Sequence, residues 1–145
     1  MQLTSYTDYS LRALIYIGAL EQGKRTSIKE ISRFYQLSNN HLQKIIHELG
    51  KRGYIETIRG RNGGIQMKMD PNDINVGQLV RETEDLNIVE CFNQNHNCVI
   101  SSVCKLKSVL YQANEAFLQV LDQYTLADLM MNKEELSRLL FSERS

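Results

Sequence analysis

The chain's 145 residues, 42% hydrophobic with one proline and eight glycines, suit one ordinary domain with room for a dimerisation arm, and leave little scope for long disordered linkers. No run of about 18 apolar residues is present and the first residues lack the features of a signal peptide, so no membrane span and a cytoplasmic location are expected. The net charge of zero hides a split: residues 1–69 carry 11 Lys/Arg against 5 Asp/Glu (+6), and residues 70–145 carry 6 against 12 (−6), which suggests a polyanion-binding half joined to something else.

In chain order, residues 8–20 read as a buried helix rich in Leu11, Leu14, Ile15, Ile17 and Leu20, ended by Gly23. Ser27 and Glu30 have capping-box spacing and open a second helix to about Tyr35. Gln36-Leu37 makes a short turn, and Ser38 caps a third helix reaching about Gly50. In that helix Leu42, Ile45, Ile46 and Leu49 form one apolar stripe, opposite Asn40, Lys44, His47 and Lys51. A hairpin follows: the β-prone run Tyr54 to Arg59, the turn Gly60-Arg61-Asn62-Gly63-Gly64, and the alternating strand 65–69. Asp70-Pro71-Asn72-Asp73 breaks the chain before a short helix around Val76–Arg81. Residues 84–101 show no helical period. From about Ser102 a long helix carries Val103, Leu106, Leu110, Ala113, Phe117, Val120 and Tyr124 at coiled-coil spacing, the expected seam of a homodimer. Thr125 and Asp128 then read as a capping signal for a last helical segment over 126–141, broken near Asn132.

The predicted fold is mostly α with a small β-hairpin wing: a winged helix-turn-helix domain over 1–83, a cysteine-bearing loop over 84–101, and a dimerisation helix with a C-terminal helical segment over 102–145. A recognition helix buries its apolar stripe so that its polar face enters the major groove. Asn and Gln pair with adenine edges, and Lys with guanine or phosphate. Candidate DNA contacts are therefore Ser38, Asn39, Asn40, Gln43 and Lys44 on the third helix, and Arg59, Arg61 and Asn62 on the wing. Small residues at the wing tip let an arginine reach a narrow minor groove. Any one of these features also fits an ordinary solvated surface; their order along the chain favours double-stranded DNA as partner.

Cys91, Cys98 and Cys104 form C-x6-C-x5-C. Thiolates are soft ligands that suit iron–sulfur clusters, zinc or copper(I). This spacing is neither the ferredoxin run nor a zinc finger, and a small buried hydrophobe at Cys104 with incidental thiols elsewhere also accounts for it. His96, inside the loop, keeps a Cys3His zinc site open. No C-x-x-C, Ser/His/Asp arrangement, phosphate loop or carboxylate pair stands out, so no enzyme is expected.

Four stretches carry a resemblance over nearly the whole chain: residues 1–14, the wing Gly53 to Ile65, Asn87-Ile88-Val89-Glu90-Cys91-Phe92, and Leu121 to Leu129. On these the chain resembles the winged-helix family of iron–sulfur regulators that contains IscR and nitric-oxide-sensing repressors. The resemblance implies a homodimeric repressor of an inverted-repeat operator, with nitric oxide as effector. It implies that Cys91, Cys98 and Cys104 hold an iron–sulfur cluster, with Asp8 of the partner subunit as oxygen ligand. The cluster type does not follow from the cysteines; [4Fe–4S] is expected by resemblance, with [2Fe–2S] or zinc as alternatives. Where IscR has a ligand His three residues after the third Cys, this chain has Lys107, which disfavours that kind of centre. Read locally, Asp8 suits the first turn of a helix and lies four residues before Arg12, at salt-bridge spacing; Arg12 is thus a candidate switch partner that holds Asp8 when no cluster is present. The rival expectation is a thiol- or zinc-dependent redox regulator of the same fold.

Overall fold

The computed structural model describes residues 2–92, 98–100 and 102–141. Among these, α1 spans Ser5–Gly18, α2 Ile28–Tyr35 and α3 Asn39–Lys51, followed by β1 (Ile55–Ile58) and β2 (Gly64–Met67); α4 spans Val76–Thr83, α5 Lys105–Asp122 and α6 Lys133–Phe141. The fold is the expected one, a helix-turn-helix with a hairpin wing and a long helix behind it.

Local chemistry sets the helix limits. Thr4 caps α1 by accepting from the Thr7 N–H, so the helix begins three residues before the expected Asp8 start and ends at Gly18. Ser27 caps α2, accepting from Glu30 N–H at 3.1 Å. The Glu30 carboxylate accepts from the Thr26 hydroxyl at 2.7 Å. Gln36 ends α2 in the left-handed region (φ 58°), turning the chain within three residues into Ser38, the cap of α3. α1 packs against α3 and β2, and α2 against α3. Their core holds Leu14, Tyr16, Ile17, Ile31, Leu42, Ile45 and Leu49, all nearly or fully buried. Each such side chain contributes about 1.5–3 kcal/mol over leaving it in water.

β1 and β2 pair antiparallel, with Ile55 opposite Met67 and Ile58 opposite Gly64. Thr26 adds a bridge to Ile65, its N–H donating to the Ile65 carbonyl at 3.0 Å and its carbonyl accepting at 2.8 Å. Gly64 permits this approach: at φ +145° a Cβ there would lie 2.7 Å from the Thr26 carbonyl oxygen.

The long helix starts at Lys105, not Ser102, because Cys104 is its cap; the Cys104 Sγ accepts from the Lys107 N–H at 3.4 Å, and Val103 stands in the preceding turn. α5 docks on α4 through Leu118, buried with Val76 and Val80, and through the fork of Arg81 on Asp122 at 2.5 and 2.9 Å. Gly77 lets the helices meet closely, since a Cβ there would overlap the Asp122 carboxylate and lie 3.0 Å from its backbone nitrogen. Beyond α5, Thr125 and Asp128 form the expected reciprocal cap at 2.8 and 3.3 Å, but it opens only a 3-10 turn over Asp128–Met130 before α6. Leu126 and Leu140 join the core of α1–α3, so the C-terminal segment folds back onto the first helices.

Candidate functional site

The expected DNA contacts all lie at the surface. In α3, Leu42, Ile45, Ile46 and Leu49 are buried, while Asn39, Asn40, Gln43, Lys44 and His47 are exposed. Ser38 spends its hydroxyl oxygen on the cap, accepting from the His41 N–H at 3.4 Å, which fixes the first turn of the helix. The wing tip is a turn closed by Gly63 N–H donating to the Gly60 carbonyl at 3.0 Å, so Arg61 and Asn62 occupy its centre. Arg59, Arg61 and Asn62 are exposed, and neither arginine has an ion-pair partner among the described residues. Arg25 braces the tip from behind: its Nη1 donates to the Asn62 carbonyl at 2.6 Å and its Nε to Gln66 Oε1 at 3.0 Å. Sequence reading missed this brace, because Arg25 and Asn62 lie 37 residues apart and no local pattern links them.

Below the wing, Tyr54 donates to Glu82 Oε2 at 2.6 Å; burial and this carboxylate hold its phenol protonated well above the usual tyrosine range. Arg52 approaches the same carboxylate at 3.7 Å. The hairpin is thereby anchored to α4 as well as to α1.

A second site is a cleft of about 710 Å³ between the loop after α4 and the start of α5. Cys91 and Cys104 both line it, beside Arg81, Phe92, Lys107 and Asn114. The Asn114 Nδ2 donates to the Leu86 carbonyl at 3.1 Å, tying the loop to α5. None of the three cysteines is in a disulfide and each is half-buried. Cys98 does not line the cleft, and among the described residues no three His, Cys, Asp or Glu side chains stand close enough together to hold a metal ion. His96 lies outside the described residues. The donor chemistry fits an iron–sulfur cluster: soft thiols, two of them facing one cleft, with cationic neighbours and an N–H already directed at the Cys104 sulfur.

Asp8 sits on the exposed side of α1's first turn. Arg12 grips it in a fork, Nε on Oδ1 at 3.0 Å and Nη2 on Oδ2 at 3.1 Å. The Arg12 guanidinium also lies 5.6 Å from the Tyr9 ring centre and 5.8 Å from that of Tyr35. Tyr35 donates to the Arg12 carbonyl at 3.1 Å, and burial pushes its phenol up to about 12. Tyr9 in turn meets His41, in the first turn of α3, edge to face at 5.1 Å.

The expected dimer seam divides in two. Val103, Leu106, Ala113, Val120 and Tyr124 are exposed, as is Val109 beside them. Leu110 is half-buried, and Phe117 packs against the Val76, Val80 and Leu118 cluster of its own chain. α5 is apolar on two faces, one used by α4 and one open.

The Rrf2 family, described as an iron-dependent transcriptional regulator, matches residues 3–132. The chain is 58% identical over 142 residues, 97% of each chain, to the HTH-type transcriptional regulator NsrR of Bacillus subtilis (strain 168). It is 53% identical to the regulator of the same name from Shouchella clausii, covering 97% of this chain and 95% of that one. Among solved structures, T. potens IscR superimposes with a TM-score of 0.73 at 26% identity, covering 94% of this chain and 90% of IscR. CymR, the global cysteine regulator of B. subtilis, superimposes with a TM-score of 0.70 at 25% identity, covering 89% of this chain and 95% of CymR. No described helix is long and apolar enough to cross a membrane.

Proposed function

The chain belongs to the Rrf2 family and is a DNA-binding transcriptional repressor, and from that premise we propose that it acts as a homodimer that senses nitric oxide through an iron–sulfur cluster. Cys91, Cys98 and Cys104 would hold the cluster, of the [4Fe–4S] kind, with Asp8 of the partner subunit. The observation that carries this reading is the shared cleft of Cys91 and Cys104, one on the loop and one at the cap of α5, in a chain 58% identical to a regulator named NsrR.

In this reading residues 1–83 bind DNA, residues 84–101 with Cys104 sense, and residues 102–145 pair the subunits. The open apolar face of α5 supports self-association, because apolar side chains grouped on an exposed face mark an interaction site. A two-fold dimer places two α3 helices against an inverted-repeat operator. Asn39, Asn40, Gln43 and Lys44 meet base edges, Ser38 holds the first turn, and Arg59, Arg61 and Asn62 follow the backbone into the adjacent minor groove.

When bound, the cluster supplies iron that reacts with nitric oxide. The chain's own part is to link that site to the DNA-binding face. Cys91 and Cys104, which line one cleft, would hold the group together with Cys98, and would so join the loop after α4 to the first turn of α5. Asp8 engaged across the dimer would leave Arg12, and its return would restore the pair seen in the structure. Because Arg12 also touches Tyr9 and Tyr35, and Tyr9 touches His41, that exchange reaches the first turn of α3. A free-energy difference of about 1.4 kcal/mol between the two states changes operator affinity tenfold.

The test is an absorption spectrum of anaerobically purified protein, with operator affinity measured on the same samples with and without nitric oxide. A visible band and tight binding, both lost with nitric oxide, are expected. Asp8→Ala should keep a band and lose the cluster-dependent gain in affinity. Normal cluster-dependent binding in Asp8→Ala would refute the trans ligand. A colourless protein that still responds to oxidants or zinc would favour the thiol- or zinc-dependent regulator.

A further inference from the structure

The last turn of α4 and its cap grip three neighbours with four consecutive residues. Arg81 forks onto Asp122 of α5, Glu82 accepts from Tyr54 beneath the wing, and Thr83 and Glu84 hold the start of α1. The Glu84 contact is the densest. Its Oε2 accepts from the Thr7 hydroxyl at 2.6 Å, the Thr4 N–H at 3.0 Å and the Thr4 hydroxyl at 3.1 Å. The Thr7 oxygen also lies 3.0 Å from that of Thr83, whose own hydroxyl donates to the Leu79 carbonyl at 2.9 Å. Thr7 is fully buried, so its hydroxyl has no water to fall back on.

Glu84 is also where the chain leaves α4. Its N–H still donates to the Val80 carbonyl at 2.9 Å, while its own backbone is extended (φ −116°, ψ 142°) and leads directly into the loop that bears Cys91. Two residues on, the Leu86 carbonyl is held by Asn114 of α5. The loop is thus fastened to α5 at one point and, through Glu84, to α1 at another. On α1 adjacent residues have different surroundings: Thr7 is buried against Glu84, while Asp8 is partly exposed and paired with Arg12.

We propose that Glu84 is the positioning residue that couples the cysteine loop to α1 within one subunit, an inference that rests on the nitric-oxide-sensing reading above. In the dimer of that reading, α1 offers Asp8 to the other subunit's cluster. Each loop is then joined through Glu84 to the helix that serves the opposite site, and a shift of either loop is felt at both. A carboxylate suits this role: three donors converge on one oxygen, and its charge faces the positive end of the α1 dipole.

The experiment uses the full-length protein and compares operator affinity in cluster-loaded and cluster-free samples. The wild type sets the loaded-to-free ratio. Glu84→Ala should lower that ratio on the order of tenfold, leaving the absorption spectrum and non-specific DNA binding unchanged. Thr7→Val, which removes the partner hydroxyl at constant shape, should lower it similarly, and the double variant should lose little more than either single one. Glu84→Gln keeps an acceptor oxygen and should retain most of the ratio; a residue needed only for its charge would not be rescued by it. Wild-type ratios in both Glu84→Ala and Thr7→Val, or fully additive losses in the double variant, overturn the proposal while leaving cluster sensing intact. A wild type that shows no ratio removes the sensing reading and this coupling with it.

Discussion

Leu106→Asp tests whether the open face of α5 is the proposed dimerisation face, distinct from the core face on the same helix. In the single chain Leu106 is 63% exposed, as are Val103 at 78% and Val109 at 58%. Burying a whole leucine contributes about 1.5–3 kcal/mol, so the part of Leu106 still open has about 1–2 kcal/mol to gain in an interface, and two-fold symmetry doubles it. The substitution forfeits that gain and adds two carboxylates, whose desolvation costs several kcal/mol each. The dimer constant should weaken by roughly a thousandfold or more, since about 4 kcal/mol suffices for that factor. The monomer should be unharmed. Position 106 lies in the first turn of α5, where an acid is favoured, and surface changes of this kind usually stay within about 0.5 kcal/mol. Sedimentation equilibrium of the cluster-free protein, with circular dichroism as a fold control, measures both quantities; omitting the cluster keeps the nearby Cys104 out of the comparison. Leu118→Asp is the counterpart: Leu118 is 3% exposed, and that variant should lose its fold. A folded Leu106→Asp that dimerises like the wild type would refute the assignment of this face.

At the DNA face, Asn40→Ala should relax base preference with little loss of non-specific affinity, whereas Arg61→Ala should weaken binding to all sequences and reduce the salt slope by about one; titrations at several salt concentrations distinguish the two. Acid should loosen the α4–α5 joint: the Arg81 guanidinium holds the Asp122 carboxyl below the usual carboxylate range, so the stability from this pair is present above the unfolded carboxyl's value and is lost as pH falls through the lower folded one. Asp122→Asn should flatten that acid limb in thermal melts, and an unchanged limb would place the acid sensitivity elsewhere.

The recognition helix was legible because its signals are local: Ser38 supplies the cap, and Leu42, Ile45, Ile46 and Leu49 supply one stripe. The wing was legible for the same reason, though its turn centres on Arg61-Asn62, since the Gly60–Gly63 hydrogen bond and the Thr26 bridge fix where the strand resumes. α5 resisted reading in one respect. Its period predicted a helix, but Phe117 and Leu118 face α4 while Leu106, Val109 and Val120 face outward, and a repeat of three and four residues does not say which apolar stripe meets the chain's own core. The links between elements were invisible. Glu84 and Thr4 are 80 residues apart, and Arg81 and Asp122 are 41 apart; such pairs arise from topology, not from any local pattern. At the cysteines the sequence offered the donors and their order, and the structure adds that Cys91 and Cys104 face one cleft.

At Asp8 the observed local pairing and the proposed cross-subunit role are compatible. Its fork with Arg12 is well formed, yet both side chains remain more than 40% exposed. Exposed helix pairs four residues apart contribute only about 0.3–0.5 kcal/mol, because water solvates both ions nearly as well when they separate. Exchanging Arg12 for another cationic or metal partner is therefore inexpensive for Asp8. Arg12 is not stranded by the exchange, since its guanidinium is within cation–π reach of the Tyr9 and Tyr35 rings. Thr7, one residue away, is the opposite case: buried and hydrogen-bonded to a carboxylate, it is costly to displace. The first turn of α1 thus combines a fixed inner contact with an exchangeable outer one, the combination that a switch between two partners requires.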